Sequence, residues 1–217
     1  MKAASSKAPK EVTRNNGPPS DGKYSVETLP DGKKYVRADR QVIFGNDPKS
    51  WSEQLEDYIN GKIRCGQNVH LTAADGDVLT LTANSAGKLS DNHTSDGRTM
   101  SAEAYERKAN AAAHIDEVVQ VSTRGKKTVP DSNGRHGEMA NSGWNYRTAY
   151  FEDFDGKYYK LTISTALNSN GITIYNIGTI KEEANPKIMG SRAGNGDGPR
   201  GGASSADSIR SSTEDVK

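Results

Sequence analysis

Between residues 145 and 180, the sequence alternates apolar and polar side chains in three segments separated by turns that end in glycine. The three alternating segments are 145–151, 157–165 and 172–180, and the turns between them are 153–156 and 168–171. Alternation with a period of two places every second side chain on the same face of a β-strand. Glycine supplies the positive φ that tight hairpin turns need. These segments therefore predict a three-stranded antiparallel meander with one apolar face.

Two main helices are predicted upstream of this meander. Asp47 and Pro48 begin the first, because an aspartate side chain caps free N–H groups and proline suits the first helical position. Apolar residues at spacings of three and four extend this helix over 48–64. Ser101 caps the second helix, and the same kind of spacing predicts that it spans 102–122.

The remaining part of the central sequence divides into short strands and loops. An aspartate–glycine turn between alternating residues predicts a β-hairpin over 69–82, and 35–38 forms a short strand. Residues 84–100 indicate a polar loop, and 124–143 indicate a long mobile loop. Because a sheet with one apolar face needs helices against it, we expect an α+β fold, with two main helices packed on a curved antiparallel sheet.

The apolar content limits how much of the chain can pack. Hydrophobic residues make up 32% of the 217 residues, which is low for a chain packed along its whole length. Residues 1–23 and 184–217 lack periodicity and are rich in glycine, serine and charged residues, so we expect disordered tails. We therefore expect a single domain over 24–183. The C-terminal tail either marks a module that is joined to, or cut from, a larger polypeptide, or is an ordinary frayed end.

Several classes of protein are excluded by simple features of the sequence. No run approaches the roughly 18 apolar residues of a membrane span, and residues 1–10 lack the apolar segment of a secretory signal. The single Cys65 excludes an intramolecular disulfide and a cysteine-rich zinc site. A net charge of +1 is not a nucleic-acid signature by itself, although the basic residues near Lys126 and Lys127 indicate a local patch.

The four histidines are His70, His93, His114 and His136, and their spacing suits no metal motif on one helix, so we expect no metal and no cofactor. His114, in the second predicted helix, is a candidate general acid or base because imidazole titrates near neutral pH. The alternative interpretation is a half-buried helix histidine. His136 lies in the predicted mobile loop and enters a site only if that loop closes.

The polar face of the predicted meander is a second candidate site. Its tyrosines and lysine are Tyr146, Tyr150, Tyr158, Lys160 and Tyr175. Tyrosines interleaved with a lysine can stack on bases and hold phosphate, and Arg147 can bind a phosphate through two N–H groups. The alternative is ordinary cross-strand pairing, which stabilises any antiparallel sheet, and Thr162 and Ser164 fit that interpretation equally well.

Four longer patterns resemble domains of the large polyvalent proteins that phages and integrative elements of gut bacteria carry. The patterns are YVRADRQVIFGNDP at 35–48, AHIDE at 113–117, YRTAYFEDFDGKYY at 146–159 and IYNIG at 174–178. Some of those domains are similar to the phage branch of the barnase–EndoU–colicin–RelE-like nuclease fold. The resemblance covers about residues 35–182 of this chain.

The resemblance implies a helix followed by a curved four-stranded antiparallel sheet, and cleavage of RNA without metal in the cytoplasm of a bacterial host. Enzymes of that fold promote attack of a ribose 2′-OH on the adjacent phosphate, which leaves a cyclic phosphate. In this sequence, the resemblance implies that His114 is the acid or base. Arg147 or Lys160 would stabilise the charge of the phosphorane. Thr162 or Ser164, together with Tyr175, would orient the phosphate.

Three functional hypotheses follow for a module of a phage or mobile element. The first is an accessory module that binds RNA and cleaves it without metal, with Lys126, Lys127, Tyr146, Tyr150 and Tyr158 on the binding surface. The second is a non-catalytic protein that binds a host protein and inhibits a nucleic-acid-guided immune enzyme, in the manner of an anti-CRISPR protein. The near-neutral charge and the flexible arms favour this alternative. The third is a structural or packaging accessory.

Overall fold

The structure is a computed structural model, and it describes residues 24–43, 45, 47–63, 67–93, 98–132, 134 and 136–186. Cys65 and almost all of the predicted disordered tails lie outside the described residues. Among the residues that are described, no helix is long and apolar enough to cross a membrane.

The described residues form a mixed α+β structure, which confirms the predicted fold class. The strands are β1 Tyr24–Thr28, β2 Lys34–Ala38, β3 Val69–Thr72, β4 Val78–Leu81, β5 Thr123–Val129, β6 Gly143–Glu152, β7 Tyr158–Asn168 and β8 Gly171–Glu183. The α-helices are α1 Pro48–Lys62, α2 Ala83–Ser90, α3 Ala102–Ala113 and α4 Ile115–Val121. The described part of the chain thus has four α-helices where two were expected.

The sheet curls into a half-barrel whose hydrogen-bonded order is β1-β2-β6-β7-β8-β4-β3, and β5 pairs with β6 beside this path. Strands β6, β7 and β8 pair antiparallel in chain order. The β2–β6 and β4–β8 pairs are parallel, so the expectation of an entirely antiparallel sheet is wrong. Long connections carry the two outer hairpins back to the central strands, and such connections permit parallel pairing.

Helix α1 begins as the sequence predicts. The Asp47 side chain accepts a hydrogen bond from the Lys49 N–H, and Pro48 occupies the first turn. Trp51, Leu55 and Ile59 form its buried stripe. These side chains belong to one large core between the helices and the sheet, which also contains the inward residues of β6 and β7.

The second predicted helix is divided in the structure. Ser101 caps α3 by accepting a hydrogen bond from the Ala104 N–H, but the helix ends at Ala113. His114 takes a non-helical conformation, and α4 starts at Ile115. The apolar spacing continues across this break, which explains why periodicity alone joined the two helices.

Both predicted loops contain regular structure. Residues 84–100 include most of α2, which Thr82 and Ser85 begin with reciprocal hydrogen bonds at its N-terminus. Residues 124–143 include most of β5, whose backbone the Asn145 side chain holds against β6. Gly125 is required there, because an added Cβ would lie 2.4 Å from the Tyr146 carbonyl oxygen.

Arg147 ties β6 to the β3–β4 turn. It is 1% exposed, and its guanidinium donates to Asp75, to Asp77 at 2.7 Å and to the Ser122 hydroxyl at 3.1 Å. Although burial raises the pKa of Asp75, hydrogen bonds from the Arg124 N–H and Arg147 hold that pKa below its ordinary value. The three partners therefore satisfy a buried cation, which would otherwise be costly.

We expect Arg147→Met to lower the free energy of unfolding by about 3 kcal/mol or more, because it leaves two carboxylates without their buried partner. Arg124→Met is the matched control, since its exposed guanidinium lies 3.9 Å from the same Asp77 and should contribute less than about 1 kcal/mol. Urea unfolding of both variants measures the difference. Equal effects of the two substitutions would contradict the role of Arg147.

Candidate functional site

His114 does not lie in an open site. Its residue is 2% exposed, and its ring packs between Tyr24 and Phe151, with centroid separations of 6.0 Å and 5.8 Å. Its Nδ1 lies 3.9 Å from Glu117 Oε2. A substrate phosphate cannot approach a ring buried in this way, so the expected acid or base role of His114 does not fit the structure.

Arg147 and Tyr158 are also buried, so they are not accessible on the predicted binding surface. The guanidinium of Arg147 is occupied by the buried contacts described above, so it is not free to bind phosphate. Tyr158 is 3% exposed, because Leu29 and Tyr35 of the β1–β2 hairpin cover it. The alternation along β7 correctly places Tyr158 beside Lys160, but it carries no information about this hairpin.

Most of the other predicted residues remain within reach of solvent on the sheet face opposite the main core, although Ser164 is only 6% exposed. Tyr146 is 41% exposed, and Tyr150, Lys160, Thr162 and Tyr175 are half-buried. Tyr150 pairs with Lys160 across β6 and β7. The predicted basic residues Lys126 and Lys127 are exposed on β5, beside the first half of β6.

An open pocket at one end of this face contains a histidine between an acid and a phenol. His136 donates its backbone N–H to Asp131 at 3.1 Å, and its Nδ1 lies 3.4 Å from the other oxygen of that carboxylate. Its Nε2 lies 3.3 Å from the Tyr175 hydroxyl. The Trp144 ring meets His136 and Tyr175 edge to face, at centroid separations of 4.8 Å and 4.9 Å.

The Asp131 carboxylate faces the Nδ1 atom of this imidazole. The backbone N–H of His136 lowers the pKa of Asp131 below its ordinary value, and the side chains of His136 and Trp144 contribute in the same direction. A carboxylate at Nδ1 favours the tautomer that carries its proton there. Nε2 then carries a lone pair, which faces the Tyr175 hydroxyl at 3.3 Å, and a base and an acid in contact are an arrangement that acid–base catalysis can use.

The pocket is about 370 Å³ in volume, within the range of small-ligand sites. Its lining includes Tyr146, Ser164 and Asn176 beside the histidine and its aromatic neighbours. Lys88 of α2 places its Nζ 5.7 Å from the centre of the Tyr175 ring, and so supplies a positive charge nearby. Among the described residues, no group of three or more metal-ligating side chains lies together.

Sequence reasoning singled out Tyr146, Ser164 and Tyr175, and His136 on condition that its loop closes, but it missed the other residues at this pocket. Lys88 was missed because residues 84–100 were interpreted as a loop, although the Thr82–Ser85 pattern is a recognisable helix start. Asp131 and His136 lie five residues apart in a polar segment, and this spacing is the one local signal that could have indicated their pairing. Trp144 was not singled out, because one aromatic residue at a strand start has many ordinary explanations.

A second, larger pocket lies at the other end of β6. It is about 690 Å³ and is lined by Tyr150, Thr148 and the lysines Lys33, Lys34 and Lys160. The Lys33 Nζ lies 6.0 Å from the Tyr150 ring centre and 2.6 Å from the Asp31 carboxylate. This end of the face is therefore basic and aromatic, a combination that suits phosphates and bases.

The chain matches no protein-family model, no curated protein and no solved structure. The resemblance to the polyvalent proteins therefore stays a prediction, and function has to be argued from the geometry of the pockets themselves.

Three ionisable residues, Lys62, Asp116 and Glu117, lie together in a largely buried position beside His114. Lys62 forms an ion pair with Asp116 at 2.5 Å, and Glu117 is 5% exposed next to them. Burial raises the pKa of Glu117 to about 8, and the neighbouring Asp116 carboxylate contributes to the rise. Folded Glu117 therefore keeps its proton to a higher pH than an ordinary glutamate does.

The proton on Glu117 makes the free energy of unfolding depend on pH. Between the ordinary pKa of 4.5 and the folded value of about 8, folded Glu117 holds a proton that the unfolded chain releases, so stability falls as the pH rises. We expect the free energy of unfolding to drop by about 2–4 kcal/mol more between pH 5 and pH 8 in the wild type than in Glu117→Gln. Urea unfolding at the two pH values checks this. Glu103→Gln changes an exposed glutamate and is the control. If Glu117→Gln loses as much stability between pH 5 and pH 8 as the wild type does, the raised pKa of Glu117 is contradicted.

Proposed function

We propose that this protein binds single-stranded RNA along the outer face of β6, β7 and β8, and cleaves it without metal at the His136 pocket. The observation that carries the proposal is the placement of His136 between Asp131 and Tyr175, in a pocket open to solvent and walled by Trp144. The resemblance to phage nuclease domains supports the same reaction class, although His136 takes the role that was expected of His114.

The binding path follows β6. Tyr146, Thr148 and Tyr150 alternate along one face of this strand, and the largely buried Trp144 stands at the start of the row. Neighbouring side chains are about 7 Å apart, so the row is about 20 Å long. Aromatic side chains stack on unpaired bases whatever the base, and lysines hold the phosphates. The row joins the His136 pocket to the lysine-lined pocket, and it therefore suits a strand of several nucleotides.

The proposed reaction moves protons in a closed cycle. His136 Nε2 takes the proton of a ribose 2′-OH, the 2′-oxygen bonds to phosphorus, and the bond from phosphorus to the 5′-oxygen breaks. The Tyr175 hydroxyl gives its proton to the leaving 5′-oxygen, and the imidazolium then returns a proton to Tyr175. The products are a 2′,3′-cyclic phosphate and a 5′-hydroxyl. Lys88 offsets the developing charge on the phosphorane oxygens.

The wider role follows from the resemblance. We propose that the protein is a cytoplasmic accessory module of a phage or mobile element, which acts on RNA inside a bacterial host. Its partner would be RNA or a host protein that is associated with nucleic acid.

Cleavage of defined single-stranded RNA in the presence of EDTA tests the catalytic proposal. We expect wild-type protein to leave cyclic-phosphate ends, and His136→Ala to be slower by about 100-fold or more, since a positioned acid or base contributes at least that factor. His93→Ala is the matched control, because His93 also contacts an aspartate, Asp91, but lies outside the pocket.

Three outcomes would contradict the catalytic proposal. They are cleavage that requires a metal ion, cleavage that His136→Ala leaves unchanged, and absence of cleavage by a wild-type protein that binds RNA. RNA that is neither bound nor cleaved would instead favour the non-catalytic, host-binding hypothesis.

Binding along β6 has a separate test. We expect Tyr146→Ala to weaken binding of single-stranded RNA about 5- to 100-fold, because it removes a stacking surface in the middle of the row. Phe154→Ala removes a side chain that is also 41% exposed but lies in the β6–β7 turn, and it should leave binding unchanged. Fluorescence anisotropy with a labelled oligonucleotide measures both. Equal affinities of the two variants would exclude β6 as the binding row.

A further inference from the structure

Two lysines face each other on neighbouring strands at the basic end of the sheet. Lys160 of β7 lies directly opposite Lys181 of β8 in an antiparallel pair. Like charges placed opposite one another destabilise a sheet. In the described part of the chain, no carboxylate forms an ion pair with either lysine. The fold therefore brings two cations together without an acidic partner, and an anion bound beside them would offset their repulsion.

Two more lysines reach the same end of β6 from the turn between β1 and β2. Lys33 and Lys34 line the pocket of about 690 Å³ together with Lys160. Asp31 also lines this pocket, and its carboxylate lies 2.6 Å from the Lys33 Nζ. Three lysines and one aspartate leave two positive charges among the described lining residues. This charge complements a phosphomonoester, which carries about −1.5 to −2 near neutral pH.

The outer face of β6 closes directly beyond this pocket. The next outward residue after Tyr150 is Glu152, which is 6% exposed and has its Oε1 3.7 Å from the Arg37 Nε. Across β7 and β8, this glutamate is followed by Tyr158 and Glu183. The β1–β2 hairpin covers the tyrosine, and the two carboxylates disfavour a polyanion. The surface that is available to a strand of RNA therefore ends at Tyr150 in this direction.

We propose that the lysine-lined pocket binds a terminal phosphate of the RNA, on either the 5′ or the 3′ end of the strand. This inference rests on the proposed binding of single-stranded RNA along β6. A terminal phosphomonoester carries more negative charge than an internucleotide phosphodiester, and it needs no room for a chain beyond it. Lysines at the closed end of the row suit the phosphomonoester on both counts. The anchored end then determines which nucleotide reaches the His136 pocket, about 20 Å away along β6.

The experiment compares single-stranded probes that differ at their ends. Three internally labelled oligouridines of one length carry a 5′-phosphate, a 3′-phosphate, or hydroxyls at both ends, and their 2′-fluoro sugars let them bind without cyclising. A fourth probe has hydroxyl ends and is longer by about two nucleotides, so that its extra phosphodiesters match the charge of one terminal phosphate. Fluorescence anisotropy at fixed salt measures the affinity of each probe.

Two pocket variants and one control variant are measured with these probes. Lys160→Met and Lys34→Met each remove one charge from the pocket. Lys157→Met is the matched control, because Lys157 is exposed in the β6–β7 turn and is not among the described residues that line this pocket. We expect the wild type to bind one phosphorylated probe about 10-fold or more tightly than the charge-matched hydroxyl probe, since hydrogen bonds between charged groups are strong. Lys160→Met and Lys34→Met should each bring this ratio towards one, and Lys157→Met should keep it.

The outcomes separate this inference from the proposed function. The ratio is informative even if a variant is less stable, because all probes meet the same folded fraction. Wild-type protein that binds the phosphorylated probes no more tightly than the charge-matched probe would overturn the terminal-phosphate site while RNA binding stands. So would a ratio that both pocket variants leave unchanged, or that Lys157→Met lowers as much as they do. Wild-type protein that binds none of the four probes would overturn the proposed function itself, and the terminal-phosphate site with it.

Discussion

The buried guanidinium of Arg147 joins three parts of the chain that are far apart in sequence. It holds the β3–β4 turn through Asp75 and Asp77, and the α4–β5 junction through Ser122, all against the middle of β6. β6 is the strand that pairs with β2, β5 and β7. The position of the other strands relative to the helices therefore depends on how Arg147 fixes the middle of β6.

The same strand connects the core to the proposed site. Residues that alternate with Arg147, such as Trp144, Tyr146 and Tyr150, project from the opposite face, where β5 and the segment after it bring His136 over Trp144. A rigid inner face thus holds the outer aromatic row in register. The outer face also carries polar atoms that have no hydrogen-bond partner among the described residues, and Asn176 Oδ1 is one of them.

Sequence reasoning succeeded where the determinants are local. The start of α1 at Pro48 follows from one capping aspartate and one proline, and the α+β class follows from the contrast between helical and alternating spacing. It failed at His114, because an apolar stripe continues through a helix break. It also failed to locate the candidate pocket, because Asp131, His136 and Tyr175 meet only through the path of the β5–β6 connection.

The sequence by itself determined the starts of α1 and α3, the strand periodicity and the residue types that are available for chemistry, since these depend on neighbours a few positions away. Only the tertiary structure decided which of those residues are accessible. It buried His114, Arg147 and Tyr158 under elements from distant parts of the chain, and it left His136 open beside Tyr175. Burial and pairing are set by contacts between remote segments, and a pattern along one strand or helix carries no record of them.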